Sequence, residues 1–196
     1  GQGANEVRRR SVNALAARFD GADPHARQVA KLSLKLFDAT APVLGLPRDS
    51  RELLEYAALL HDIGHAIDHD RHNRHSYYLI KNAELFGFDP DEIEIIALTA
   101  RAHRKQTPKL DSPELAVLPP QKRRIVRGLA AILRIADALD RTRFSVVKNI
   151  EVRYAPGRLI IGVDSAKERA DLELWTCERR TDLLSRLMDR QVTLQR

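Results

Sequence analysis

Cysteine is nearly absent from this chain of 196 residues, because Cys177 is the only one. A single cysteine excludes an internal disulfide and a cysteine-rich zinc site, and it favours a reducing compartment such as the cytoplasm. Long apolar runs are also lacking, since no stretch approaches the roughly 18 residues of a membrane-spanning helix. The sequence therefore predicts a cytoplasmic domain without a membrane segment.

Aromatic residues make up only 5% of the chain, whereas Lys and Arg exceed Asp and Glu by 33 to 27 and give a net charge of +6. A basic excess favours anionic partners such as nucleotides, polyphosphate or nucleic acid, although it is equally consistent with a solubilising surface. Few aromatic side chains are available to stack on bases, so nucleic-acid binding is the least favoured of these functions.

Hydrophobic residues make up 43% of the chain. This is enough to bury the core of one domain, or of one domain with a small appendage. The chain opens Gly-Gln-Gly, and its only methionine is Met188. A domain cut from a longer protein is therefore one interpretation of this sequence.

Apolar residues recur at helical spacing through most of the first 140 residues. Gly and Pro residues divide this part into segments, and a proline-rich stretch over 106–120 is interpreted as a loop. The last segment is the most apolar, so we expect it to cross the core. The predicted helices are residues 5–19, 24–41, 50–67, a short segment around 77–80, 89–98 and 125–140.

The pattern changes to that of strands near residue 146. Residues 150–154 alternate between apolar and polar, and residues 159–163 form a more continuous apolar run. Ala-Pro-Gly at 155–157 separates the two and is a hairpin signal. The remainder is predicted to be mainly helical over 172–188, with a short final strand over 192–194.

Together these patterns predict a mainly α fold in two parts. Residues 1–145 form a helical bundle of six to seven helices, and residues 146–196 form a small α+β appendage, a hairpin plus a helix, that packs on it. Neither an internal repeat nor a low-complexity tract is visible in the sequence.

Five of the seven histidines lie between positions 61 and 75. The informative unit is His61-Asp62, because an apolar helix that presents His and Asp side by side places two types of metal ligand at the edge of a buried surface. A carboxylate at that position has to be paired or metal-bound. The neighbours His65, His69 and His72 are interpreted as solvated residues, with a surface imidazole cluster as the alternative.

Further candidate ligands lie on other predicted helices. His25 falls in the first turn of the second helix, and His75 and His103 follow the His-Asp pair. Asp137 lies towards the end of the most apolar helix, where an unpaired carboxylate carries a heavy desolvation cost. We interpret Asp137 as a ligand rather than a cap. Asp140 either orients a ligand or is a charge at the helix end.

This series of residues resembles the ligand set of the HD superfamily of metal-dependent phosphohydrolases. Over essentially the whole chain, the sequence is similar to the C-terminal HD-type domain of the Ppx/GppA family of exopolyphosphatases and guanosine pentaphosphate phosphohydrolases. The motifs that carry the resemblance are residues 11–15 (SVNAL), 23–26 (DPHA), 60–64 (LHDIG), 74–80 (RHSYYLI), 103–105 (HRK) and 135–140 (IADALD).

The resemblance implies a centre with one or two divalent metal ions. The implied ligands of the first ion are His25, His61, Asp62 and Asp137, and those of the second are Asp62, His75 and His103. Asp62 would bridge the two ions and orient the attacking water, which is itself bound to metal. Imidazole and carboxylate ligands together suit Mn, Fe, Mg, Zn or Ni.

Basic residues close in sequence to the implied ligands are candidates for phosphate binding, because guanidinium groups bind phosphate bidentately and Lys binds it as a point charge. Arg104 and Lys105 rank first, since they directly follow His103. The other candidates are Arg74, Arg134, Arg141 and Arg143.

The resemblance implies hydrolysis of linear polyphosphate or of guanosine penta- or tetraphosphate. In full-length family members, the phosphatase site lies in an N-terminal half with an actin-like ATPase fold, and this sequence contains no such half. The alternative is therefore a catalytically silent module that binds polyphosphate and mediates dimerisation, for example as a homodimer, for a catalytic half carried elsewhere.

Overall fold

A computed structural model describes residues 2–19, 23–103, 112–165 and 170–196. Helices dominate, and a small sheet lies near the C-terminus, so the prediction of a mainly α fold with a small appendage is confirmed. The elements are α1 (Gln2–Phe19), α2 (Pro24–Leu44), α3 (Ser50–Leu60), α4 (His72–Asn82), α5 (Pro90–Arg101), α6 (Pro113–Val117), α7 (Pro120–Ala138), β1 (Val147–Ala155), β2 (Arg158–Ser165), α8 (Asp171–Glu178), α9 (Asp182–Met188) and β3 (Gln191–Gln195).

Helix α7 lies at the centre of the bundle, as its apolar sequence predicts. Eleven of its 19 residues are buried, and the helix contacts α2, α3 and α5. Close packing on several sides leaves a helix little freedom to shift. A side chain near its C-terminal end, such as Asp137, is therefore held in a fixed position relative to α2 and α3.

The start of α2 is set by local sequence. The Asp23 carboxylate accepts a hydrogen bond from the backbone N–H of His25 at 3.0 Å, and Pro24 occupies the first helical position. An acidic N-cap followed by proline satisfies a free N–H group and fixes the backbone angle at which the helix begins. The position of His25 in the first turn follows from this cap.

The prediction for α3 is wrong in its C-terminal part. Instead of continuing to about residue 67, the helix ends at Leu60. His61 and Asp62 form a turn, and a short 3-10 helix follows over Ile63–Ala66. The His-Asp pair therefore lies at a helix end rather than within a helix.

Close packing at Gly64 accounts for this early end. A Cβ atom on Gly64 would lie 2.0 Å from the carbonyl oxygen of His72 and 2.5 Å from the backbone nitrogen of Ser76. The Ser76 hydroxyl accepts from the N–H of Gly64 and donates to the carbonyl of His61, both at 2.8 Å. The absence of a side chain at Gly64 therefore lets α4 dock closely against the His-Asp segment.

The proline-rich stretch that is predicted to be a loop contains helix α6 in its second half. Ser112 caps this helix, because its hydroxyl accepts from the N–H of Leu115 at 3.3 Å, and Pro113 occupies the first helical position. Proline at a helix start is favourable, so Pro113 begins a helix here instead of breaking one. Residues 104–111 lie outside the described part of the chain.

The appendage is a three-stranded sheet with two short helices. Strands β1 and β2 pair antiparallel around the predicted turn at 156–157, where Gly157 has a φ of 67°, and β3 pairs parallel to β2. Strand β1 contacts α2, and α8 and α9 contact α7. The division at residue 145 stays a prediction. Among the described residues, no helix has the length and apolarity needed to cross a bilayer.

Candidate metal centre

His25 is buried in the first turn of α2, with both ring nitrogens engaged. Its Nδ1 lies 2.7 Å from Asp140 Oδ2, and its Nε2 lies 3.1 Å from Asp137 Oδ1. The other Asp140 oxygen accepts from the backbone N–H of Ser145 at 2.9 Å. Asp140 therefore orients His25, which is one of the two roles that the sequence left open for it.

His61 and His103 are oriented by backbone carbonyl groups. His61 Nδ1 lies 2.5 Å from the carbonyl oxygen of Ala58, and His103 Nδ1 lies 2.5 Å from that of Ala100. A carbonyl oxygen only accepts, so Nδ1 is the donor in both rings. In the neutral form, each ring then presents the lone pair of Nε2 to the interior of the site, as a metal ligand must.

Four side chains from three separate segments of the fold converge at one point. His25, His61, Asp62 and Asp137 each offer a ligand atom, and these atoms all lie within 4.8 Å of one another. The Nε2 atoms of both histidines lie 3.1 Å from Asp137 Oδ1 and 3.5 Å from Asp62 Oδ2. This is the group of residues that the resemblance implied for a first ion, and it is called the first donor group below.

A second donor group adjoins the first and shares Asp62 with it. Asp62, His72 and His103 place one ligand atom each within 4.8 Å of one another. Asp62 Oδ1 lies 3.3 Å from His72 Nε2 and 3.4 Å from His103 Nε2. The two imidazole nitrogens are 2.8 Å apart. Asp62 thus directs one oxygen to each group.

The second donor group contains His72 where the sequence analysis placed His75. His75 is half-buried on α4, and it belongs to neither donor group among the described residues. Helix α4 begins at His72 and docks through the backbone of its first turn against Gly64. This docking directs His72 to Asp62. The sequence analysis interpreted His72 as a solvated residue, whereas its side chain is only 14% exposed and lies beside Asp62. No local signal in the sequence separates it from His75, three residues later.

Two arginines contact the carboxylates of the first donor group. Arg143 donates to Asp62 Oδ2 at 2.9 Å and to Asp23 at 3.0 Å, and its side chain is 44% exposed. Arg180, from the appendage, is buried and donates to Asp137 Oδ2 at 2.9 Å. The sequence placed Arg143 near the ligands, but Arg180 was missed, because it is 43 residues from Asp137 and belongs to no recognisable motif.

The other basic residues that are predicted to bind phosphate lie in different places in the structure. Arg74 and Arg141 line the cavity that opens from the two donor groups. Arg134 does not line it, because its side chain is fully buried near Asp182. The sequence could not show this, since Arg134 lies only one helical turn before Asp137 and its burial depends on how α9 packs against α7. Arg104 and Lys105 lie outside the described residues.

The cavity is large and basic. Its volume is about 1310 Å³, and the only lining aromatic side chain besides histidine, among the described residues, is Tyr77. Such a cavity favours a phosphate-rich ligand over one that is held by base stacking. In the part of the chain that the structure describes, the arginines that line it are Arg71, Arg74, Arg101, Arg141, Arg143 and Arg180.

A known protein family matches most of this chain, including the residues of this arrangement. The model of the Ppx/GppA phosphatase family, domain III, matches residues 7–176 of this chain. The chain belongs to the Ppx/GppA phosphatase family. The match includes all residues of both donor groups, and it ends within α8 of the appendage.

Relatives of this Ppx/GppA chain include three proteins named Guanosine-5'-triphosphate,3'-diphosphate pyrophosphatase. The protein from Vibrio vulnificus (strain YJ016) is 28% identical over 188 residues, which cover 91% of this chain and 36% of that protein. The protein from Aeromonas hydrophila is 31% identical over 137 residues, which cover 67% of this chain and 26% of that protein. The protein from Pseudoalteromonas translucida is 31% identical over 108 residues, which cover 54% of this chain and 21% of that protein. The matches thus span between about a fifth and about a third of the length of these relatives.

The donor atoms of the Ppx/GppA chain fit a divalent metal ion. The first donor group combines two imidazoles and two carboxylates, a mixture that suits divalent transition metals. Each imidazole is oriented through its other nitrogen, by Asp140 or by a backbone carbonyl, as is usual for metal-binding histidines. Asp62 is buried, so its charge requires cations nearby.

Hydrogen bonds and neighbouring charges shift the pKa values of the histidines and aspartates of the first donor group. Burial alone would lower the pKa of His25, but hydrogen bonds with Asp137 and Asp140 raise it to about 9. Burial also acts to lower the pKa of His61, but the charge of Asp62 and a hydrogen bond with Asp137 outweigh it and raise that pKa. Burial acts to raise the pKa of both aspartates, but the histidines hold it well below its ordinary range. Protonated imidazoles therefore compensate the carboxylates when no cation is bound.

The stability of the metal-free Ppx/GppA chain is expected to fall as the pH rises. The pKa of His25 is raised from 6.5 to about 9 on folding, so its stabilising effect is complete below pH 6.5 and is lost as the pH rises through about 9. The loss amounts to at most about 3 kcal/mol in the free energy of unfolding. Urea unfolding of chelator-treated protein at a series of pH values measures it.

Two comparisons accompany this measurement. His25→Gln removes the titrating ring, so its unfolding free energy should depend less on pH over the same range. A saturating divalent metal should reverse the trend, because the neutral imidazole is the ligand and metal binding becomes stronger with pH. Equal pH dependence in the wild type and in His25→Gln would contradict the role given to this residue.

Proposed function

We propose that this chain is a metal-dependent phosphohydrolase domain of the Ppx/GppA type that acts on linear polyphosphate or on guanosine penta- or tetraphosphate. One observation carries the proposal: Asp62 presents Oδ2 to the first donor group and Oδ1 to the second. A carboxylate shared in this way is suited to two neighbouring cations, the arrangement that phosphoester and phosphoanhydride hydrolysis uses in many enzymes.

The residues of the chain divide the work of the reaction. When bound, divalent ions supply Lewis acidity towards phosphoryl oxygens and make water a better nucleophile near neutral pH. Asp62 and Asp137 provide the negative charge that holds such ions, and Asp62 orients the attacking water. His25 and His61 complete the first donor group through their Nε2 atoms.

Arginine side chains provide the contacts to substrate. Arg143 is exposed on one side and reaches Asp62 on the other, so its guanidinium group is placed to bind a phosphoryl oxygen beside the donor groups. Arg74 and Arg141 line the same cavity and extend the basic surface for further phosphates. The names of the relatives support a guanosine nucleotide, and the resemblance to exopolyphosphatases supports the linear polymer.

A second candidate function is a silent module that binds polyphosphate and serves a catalytic part elsewhere in a longer protein. Two observations favour it. The matches span only about a fifth to a third of the length of the relatives, and the six arginines that line the cavity among the described residues can hold a polyanion without any hydrolysis. Dimerisation belongs to this candidate as well, and it rests on the family resemblance alone.

Phosphate release tests the first candidate. Untagged chain loaded with Mn²⁺ is expected to release inorganic phosphate from linear polyphosphate or from guanosine pentaphosphate. Asp62→Asn removes the charge that both donor groups share and should slow release at least about 100-fold. The matched control Asp70→Asn changes an exposed carboxylate of the same segment and should leave the rate unchanged.

The outcomes separate the two candidates. Metal-loaded chain that releases no phosphate from either substrate, yet binds polyphosphate with an affinity that falls as salt is added, supports the silent module. Equal rates for the wild type and for Asp62→Asn would contradict the proposed phosphohydrolase site.

A further inference from the structure

Two histidines at the cavity mouth belong to neither donor group. His65 and His69 both line the cavity, and His69 is exposed. Their Nδ1 atoms are 3.0 Å apart, with ring centroids separated by 4.8 Å. Two imidazole nitrogens at this distance either share a proton or bind a cation between them.

The spacing of the two nitrogens suits a metal ion. Metal–nitrogen bonds of about 2.1 Å to two atoms that are 3.0 Å apart give an angle of about 90° at the metal. This is the angle between neighbouring ligands in square-planar and tetragonal complexes, which Ni²⁺ and Cu²⁺ prefer with nitrogen and oxygen ligands. Water completes such a coordination shell at an exposed site.

His65 is already oriented to present Nδ1. Its Nε2 lies 3.5 Å from Asp62 Oδ1, and its ring stacks on that of His72 at 3.9 Å with an interplanar angle of 14°. With the proton of His65 on Nε2, facing Asp62, the lone pair of Nδ1 points to His69. A carboxylate that fixes the tautomer of a neighbouring histidine is a usual feature of metal sites.

We propose that His65 and His69 form an outer metal site that binds one Ni²⁺ or Cu²⁺ ion at the cavity mouth, separate from the two donor groups. The site takes one Nδ1 atom from each ring, and water fills the other positions. An ion there adds positive charge where an anionic ligand enters the cavity. The site does not depend on the proposed phosphohydrolase activity, because neither histidine belongs to the donor groups.

Metal counting tests the outer site. Untagged chain is dialysed against increasing concentrations of Ni²⁺, and bound metal is measured by elemental analysis. His69→Ala is expected to bind one equivalent fewer than the wild type, with the tighter binding unchanged. His75→Ala is the matched control, because it removes a histidine of the same region that belongs to neither donor group, and it should bind as the wild type does.

Spectroscopy identifies the ligands of the outer ion. In the Asp137→Asn/His103→Ala background, which weakens both donor groups, bound Cu²⁺ should still give an electron paramagnetic resonance spectrum with coupling to imidazole nitrogen, and His69→Ala should remove the component of that spectrum that comes from the outer ion. This measurement tests the outer site even if the chain hydrolyses neither substrate. Equal Ni²⁺ stoichiometry and affinity in the wild type and in His69→Ala would overturn the outer site, and so would Cu²⁺ spectra that do not change.

Discussion

Replacing Asp137 by Asn is expected to lower the affinity of the chain for a divalent transition metal at least about 100-fold. Asp137 Oδ1 lies 3.1 Å from the Nε2 atoms of both His25 and His61, so it is the central carboxylate of the first donor group. The amide keeps the side-chain volume but removes the negative charge. Isothermal titration with Mn²⁺ or Zn²⁺, after treatment with a chelator, measures the change.

Two further variants give metal affinities with which that of Asp137→Asn can be compared. Asp140→Asn keeps all ligands and changes only the residue that orients His25, so we expect a weaker loss, about 10- to 100-fold. Asp38→Asn changes an exposed carboxylate on α2 that pairs with Arg51, and it should bind metal as the wild type does. Wild-type affinity and stoichiometry in Asp137→Asn would be incompatible with the first donor group as a metal site.

Replacing Gly64 by Ala is expected to lower the free energy of unfolding by about 3 kcal/mol or more. The added methyl group would meet backbone atoms of His72 and Ser76 at 2.0 and 2.5 Å, and backbone cannot move aside as a flexible side chain can. Helix α4 would have to shift, and His72 would shift with it. Urea unfolding measures the loss, and metal stoichiometry reports the damage to the second donor group.

Gly162→Ala is the matched control for this substitution. A Cβ atom at Gly162 would lie 3.5 Å from the carbonyl oxygen of Glu151, an ordinary van der Waals distance, so the change should cost less than about 1 kcal/mol. Near-native stability of Gly64→Ala would show that the contact between the His-Asp turn and α4 is looser than the structure has it.

Much of the fold was predictable because its signals are local. The Asp-Pro pairs before α2 and α5, the apolar sequence of α7 and the turn at 156–157 each act within a few residues of the element that they define. The end of α3 was not predictable in the same way. It depends on Gly64 meeting α4, a contact between segments that the sequence pattern of α3 does not contain.

The residues of the candidate site also fall into those with a local signal in the sequence and those that only tertiary packing brings to the site. His61-Asp62 and Asp137 attract attention because polar residues in apolar segments need a compensating partner. That His72 rather than His75 lies beside Asp62 depends on how α4 docks, and the contact of Arg180 with Asp137 depends on how the appendage packs against the bundle. Neither packing arrangement leaves a periodic or motif-like trace in the sequence.

Anomalous X-ray diffraction from crystals of the untagged chain grown with Mn²⁺ tests the metal centre most directly. We expect an anomalous peak about 2.0–2.4 Å from His25 Nε2, His61 Nε2 and one oxygen each of Asp62 and Asp137. A map in which these four side chains contact only one another, with manganese absent or bound elsewhere, would contradict it.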